Sequence, residues 1–176
     1  MSLPFYTIGH SNRSLAEFIA LLDAAGVGVV ADIRKLPGSR AHPWFDADAL
    51  APALDGAGIG YRRIAELGGL RGRDPELPPD LNGFWTNRSF HNYADYALSA
   101  GFRAGFDRLL ALGRAQSCAT MCAEAVWWRC HRRIVSDHLI AAGETVINIM
   151  GPGRLEEARL TPGAVIRPDG QVVYPA

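Results

Sequence analysis

Phe5–Tyr6–Thr7–Ile8–Gly9–His10–Ser11 is an apolar run that breaks at a glycine and ends in polar residues, the pattern of a buried strand and its turn. Ser14–Leu15–Ala16–Glu17 follows and matches a capping box, in which Ser14 and Glu17 satisfy each other's backbone donors. Leu15, Phe18, Ile19 and Leu22 then recur at i, i+3, i+4 and i+7, one apolar helix face, and Gly26 supplies a left-handed stop. The unit is strand, turn, amphipathic helix.

The unit repeats along the chain. Val27 to Ala31 reads as a second strand, ending at Asp32–Ile33–Arg34, and Asp46 is placed to cap a helix carrying Leu50 and Leu54. Ile59 to Ala65 reads as strand three, ending at Glu66–Leu67–Gly68–Gly69. Leu70 to Arg88 has no periodicity and is rich in proline and glycine, which predicts a lid or binding loop. A helix is expected from Ser89, broken near Gly101 and resumed through Phe102, Phe106 and Leu109. Ser117 to Met121 reads as strand four, Trp127 to Ala142 as a helix, Thr145 to Ile149 as strand five, and Ala164 to Tyr174 as a hairpin turning at Pro168–Asp169–Gly170. Strands alternating with helices predict an α/β three-layer sandwich with a mostly parallel sheet of about five strands and a small C-terminal hairpin. A single domain over residues 1–176 is expected, since 48% hydrophobic content supplies one sizeable core.

Charge is balanced at 18 basic and 18 acidic residues, so the whole-protein field gives no reason to expect nucleic acid or an anionic membrane. The basic side is nearly all arginine, with Lys35 the only lysine. The beginning of the chain lacks the charged and apolar regions of a secretory signal, and no apolar run is long enough to span a bilayer. Three cysteines do not suggest a disulfide framework, and a cytoplasmic location is expected.

The polar residues fall at the carboxyl ends of the strands: His10 and Ser11, Asp32 and Arg34, Glu66 with Gly68 and Gly69, Cys122 and Glu124. In open parallel sheets ligands bind outside those ends, so these segments are expected to converge on one crevice. The densest chemistry runs from Cys122–Ala123–Glu124 to Cys130–His131–Arg132. With a helix starting at Trp127, Cys122 would lie near its first turn, where free amides and the dipole favour a thiolate. Cys122, Glu124, Asp32 and His10 are therefore the candidate catalytic residues. Ser11, Arg34, Ser39, Gly68, Gly69, Cys130, His131 and Arg132 are the candidate substrate-binding residues.

Zinc is not expected, because Cys122 and Cys130 are too far apart for a knuckle and no Cys-x-x-Cys pair occurs. The cysteine phosphatase loop is one residue shorter than the six residues that separate Cys122 from Arg129. No Walker loop or dinucleotide fingerprint is present, and no cofactor is assigned.

These motifs together resemble the Domain of Unknown Function 488 family of small bacterial and archaeal proteins. The resemblance is carried by Thr7–Ile8–Gly9–His10–Ser11, Asp32–Ile33–Arg34, Pro37–Gly38–Ser39, Leu67–Gly68–Gly69, Phe90–Tyr93–Ala94, Met121–Cys122–Ala123–Glu124 and Cys130–His131–Arg132. It implies a cytosolic α/β protein and brings no catalytic assignment with it. It also implies a histidine on the last parallel strand, where this chain has Asn148, which hydrogen-bonds but does not titrate.

Three functions fit these residues. The first is an enzyme, a hydrolase or transferase using a thiol or carboxylate on a small anionic or nucleotide-like substrate. The second is a nucleic-acid-linked module, with Arg13, Arg34, Arg40, Arg71 and Arg73 on phosphates and Trp44, Trp85, Trp127 or Trp128 for stacking. The third is a redox or ligand sensor in which Cys122 and Cys130 are modified without turnover. Zero net charge places the enzyme ahead of the nucleic-acid module.

Overall fold

The structure is a computed structural model that describes residues 3–38 and 40–176. Five strands run parallel: β1 (Phe5–Gly9), β2 (Val29–Asp32), β3 (Gly60–Arg63), β4 (Cys118–Cys122) and β5 (Val146–Gly151). A sixth, β6 (Arg154–Glu157), pairs antiparallel with β5 at one edge, giving the order β3-β2-β4-β1-β5-β6. β7 (Val165–Ile166) and β8 (Val172–Val173) form the small C-terminal hairpin. The helices are α1 (Leu15–Ala24), α2 (Ala47–Gly56), α3 (Arg88–Tyr96), α4 (Ala100–Ala115) and α5 (Arg132–Ala141).

Side-chain alternation along the strands divides the core into two layers. Ile8, Val30 and Met121 face α1 and α2, where they meet Phe18, Leu22, Phe45, Leu50 and Leu54. Phe5, Val29, Ile33, Cys118 and Val146 face the other way, against Phe102, Phe106, Leu109, Ile134 and Leu139 of α4 and α5. Gly113 of α4 has no room for a larger residue, since an added Cβ would fall 2.1 Å from the Phe5 ring.

The capping box at Ser14 and Glu17 is present. Three expectations need correction. The break after α3 comes at Ala97 to Ser99 rather than at Gly101, because the Ser99 hydroxyl accepts from the Phe102 N–H and starts α4. The sheet gains β6, whose four exposed residues carry no period of their own. Most consequentially, α5 begins at Arg132 and not at Trp127. Trp127–Arg129 makes only a short 3-10 turn, and Cys130 is extended (φ −132°, ψ 151°), which breaks the helix before it can reach Cys122.

Near the end of α5, His138 is buried between Phe102 and Phe106, and its Nε2 has no hydrogen-bond partner among the described residues. Burial, and secondarily the Arg103 charge, lower its pKa to about 4 from 6.5. The unfolded chain therefore binds more protons than the folded one between these values, and stability falls as pH drops through that window. The loss expected from this group is about 3 kcal/mol, complete below the folded value. Urea unfolding of the wild type and His138→Leu between those pH values is the check. The wild type is expected to lose more stability than the variant, and equal losses would show that His138 is not held neutral.

Candidate functional site

The loops after β2, β3 and β4 enclose a cavity of about 410 Å³ at the carboxyl ends of the strands. Arg34, Lys35 and Leu36 come from the first loop, Gly69 and Leu70 from the second, and Cys122, Ala123, Glu124, Arg129, Cys130 and His131 from the third. Asn87, Ser89, Phe90 and Tyr93 close the remaining wall at the start of α3. The volume suits a small molecule, and the walls mix apolar, polar and charged residues.

The sequence-selected residues fall into two clusters on opposite faces of the sheet. On the α1/α2 face, Asp32 is fully buried at the end of β2. Its Oδ1 accepts from Arg34 Nε at 2.9 Å and its Oδ2 from Arg34 Nη2 at 2.7 Å, a bidentate pair. The Tyr61 hydroxyl donates to Asp32 as well, an arrangement set by the Val30–Tyr61 register, which puts Tyr61 on the same face. Burial, followed by the Asp32 carboxylate, pushes the Tyr61 pKa up. His10 stacks on Phe45 with ring centroids 4.4 Å apart. Its Nδ1 lies 3.0 Å from the Ser11 carbonyl and its Nε2 lies 3.4 Å from Arg34 Nη1. A carbonyl only accepts and a guanidinium only donates, so Nδ1 carries the proton and Nε2 accepts. Burial lowers the His10 pKa, in keeping with that neutral form. Arg34 reaches the cavity, whereas His10 and Asp32 stand behind it.

The other cluster lies under α5. Arg132 is 1% exposed and makes no ion pair with a carboxylate among the described residues. Its Nη1 donates to Thr7 Oγ1 at 3.1 Å and its Nη2 to the Glu124 carbonyl at 2.8 Å. Thr7 in turn donates to Asn148 Oδ1 at 2.6 Å, across the β1–β5 register. Asn148 therefore supplies an acceptor with no proton to exchange. The Arg132 backbone N–H, at the first turn of α5, lies 3.4 Å from Cys130 Sγ. His131 donates through Nε2 to the Ile33 carbonyl at 2.7 Å, which leaves its Nδ1 as an acceptor 3.4 Å from Cys130 Sγ.

This geometry moves the helix-terminus effect from Cys122 to Cys130. Burial raises the Cys130 thiol, but the Cys122 hydrogen bond, the Arg132 charge and the Arg132 N–H outweigh it and draw the pKa down to about 7. Cys122 is 2% exposed, and burial together with Cys130 holds its thiol well above the ordinary value, so it is not the favoured thiolate expected at this position. It lines the cavity while donating toward the Glu124 carbonyl at 3.7 Å.

Glu124 is exposed at the rim, and its backbone packs on β1. A Cβ at Gly9 would fall 1.8 Å from the Glu124 carbonyl oxygen, so only glycine permits this approach. Gly69 lies against His131, and Gly68 packs on Lys35 outside the cavity. Ser11 adopts a left-handed backbone (φ 47°), is tied to the Ala123 carbonyl, and does not line the cavity. Ser39 lies outside the described residues. The ends of the 70–88 loop, Leu70 and Asn87, wall the cavity. Its middle is fastened elsewhere: Asn82 bonds Asp95 and the Tyr174 N–H, and the Phe84 N–H bonds the Tyr174 carbonyl.

Sequence reasoning passed over Thr7, Tyr61, Lys35 and Arg129. Thr7 was visible only as a polar residue inside an apolar strand. Among the described residues no group of three or more His, Cys, Asp and Glu side chains is placed to hold a metal ion. No helix of the described residues is long and apolar enough to cross a membrane. A family model described as domain of unknown function DUF488 matches residues 14–139. No curated protein and no solved structure matches the chain.

Proposed function

The chain belongs to the family described as domain of unknown function DUF488, and we propose that this member is an enzyme in which Cys130 is the nucleophile toward a small anionic, nucleotide-like substrate. The observation that carries the reading is Cys130 on the cavity wall, with the Arg132 backbone nitrogen and His131 Nδ1 each 3.4 Å from its sulfur. A thiolate is the nucleophilic form of cysteine, and this setting favours it near neutral pH. His131 Nδ1 accepts a hydrogen bond from the thiol, the Ile33 carbonyl holds the ring in the tautomer that makes this possible, and burial, which lowers the His131 pKa, is in keeping with that neutral ring. Lys35 and Arg129, both exposed on the cavity wall, attract the substrate's negative charge, with Arg34 beside them. Glu124 at the rim is the group placed to exchange a proton with substrate or leaving group. Asp32 and His10 are positioning residues that hold Arg34. The attack transfers an acyl or phosphoryl-type group to sulfur, and water or a second substrate then removes it, as in hydrolases and transferases.

Iodoacetamide labelling across pH 5 to 9, read residue by residue by mass spectrometry, tests the nucleophile. Cys130 is expected to label well ahead of Cys118, whose buried thiol is raised to about 12, with a rate that climbs through neutral pH. Labelling of Cys130 no faster than Cys118 would overturn the reading. Turnover is tested by metabolite profiling with the wild type and Cys130→Ala: a metabolite should be consumed by the wild type alone.

A further inference from the structure

Resting on that reading of Cys130, we infer that Cys122 is its resolving thiol, so that a hydroperoxide converts the pair into an intramolecular disulfide that shuts the site off. Both residues line one cavity, Cys122 at the end of β4 and Cys130 just before α5. All three cysteines are free, and the Cys122 and Cys130 thiols are near enough to shift one another, Cys130 raising the Cys122 thiol and Cys122 lowering that of Cys130. The two are unequal. The Cys130 sulfur receives the Arg132 N–H and lies beside His131 Nδ1, whereas Cys122 donates toward the Glu124 carbonyl. Such a pair has one thiolate to be oxidised first and one protonated thiol held next to it.

The chemistry balances with a hydroperoxide as oxidant. The Cys130 thiolate attacks the terminal peroxide oxygen, the O–O bond breaks, and with hydrogen peroxide a proton and the departing oxygen make water. Cys130 is then a sulfenic acid. The Cys122 sulfur attacks the Cys130 sulfur, its proton leaves with the hydroxyl as a second water, and the S–S bond forms. The dithiol has lost two electrons to the peroxide.

Arg132 sets how firmly the switch holds. Among the described residues its buried guanidinium has no carboxylate partner, and its charge helps to draw the Cys130 thiol down, so the thiolate is the anion it favours in the reduced form. Disulfide formation removes that anion and leaves the charge uncompensated. The reduced form is thus the favoured one, which makes the disulfide an oxidising, easily reduced type rather than a structural one.

The experiment is treatment of the whole protein with one equivalent of hydrogen peroxide in the presence and absence of dimedone, followed by peptide mapping. The wild type is expected to give a Cys122–Cys130 cross-linked peptide, little dimedone adduct, and a reduced protein again after excess glutathione. Cys122→Ser is expected to give the dimedone adduct on Cys130 instead, and Cys118→Ser to behave as the wild type. A wild type that accumulates dimedone on Cys130 with Cys122 still alkylatable would overturn the inference while leaving Cys130 as nucleophile. A Cys130 that reacts with neither peroxide nor iodoacetamide would overturn both.

Discussion

Arg132→Met is expected to raise the Cys130 pKa by roughly 1–3, the effect of removing a nearby opposite charge, and so to slow labelling at pH 7 by about fivefold or more. The guanidinium is 1% exposed and is held in place by Thr7 and by the Glu124 carbonyl. It acts through Cys130 and does not itself line the cavity, so it is a positioning residue. The Arg132 backbone N–H survives the substitution, so the variant isolates the side-chain charge from the helix terminus. Arg132→Lys keeps the charge and loses the fork that spans Thr7 and Glu124. It should therefore recover part of the pH profile. The measurement is the labelling rate of Cys130 against pH in the three proteins, with thermal unfolding recorded alongside. A midpoint unchanged in Arg132→Met would show that the guanidinium does not stabilise the thiolate. A fall in melting temperature without a shift in midpoint would leave it a purely structural residue.

The parallel sheet was legible because each central strand is a short apolar run closed by a glycine or a polar pair, and the helices between them carry a period near 3.6. β6 was not, since Arg154, Leu155, Glu156 and Glu157 are all exposed and owe their pairing to β5 next door. The ends of β1, β2 and β4 do approach one end of the sheet, as the positions of His10, Asp32 and Cys122 suggested. The face each side chain takes was beyond reach, because it depends on register. One residue of offset separates Cys122, on the α5 side, from Met121, on the α2 side. That same dependence sends Asp32 behind Arg34 and away from the cysteines. The interchange of Cys122 and Cys130 has a different origin. A run of Trp127, Trp128 and Arg129 is compatible with a helix, and only the extended backbone of Cys130 delays α5 to Arg132. The helix amides then serve the second cysteine and not the first.

Asp32→Ala is expected to destabilise the fold by about 3–5 kcal/mol, the range found when one partner of a buried pair is removed. Asp32 is fully buried, and Arg34 is nearly so. In the wild type the carboxylate accepts from Arg34 Nε and Nη2, from the Arg34 backbone N–H at 3.1 Å and from the Tyr61 hydroxyl. The alanine strands all four donors at once, and two of them belong to the charged guanidinium. Arg34→Leu is expected to cost less on its own, because Asp32 retains the Tyr61 hydroxyl and the residue-34 backbone N–H. Removing both partners should then recover part of the loss, since no uncompensated charge remains buried. Urea unfolding of the four proteins at pH 7 gives the coupling directly. A double variant as unstable as the sum of the two singles would mean that Arg34 and Asp32 do not depend on one another. Arg34 would then be available to a ligand in the cavity, with its charge no longer committed to the carboxylate behind it.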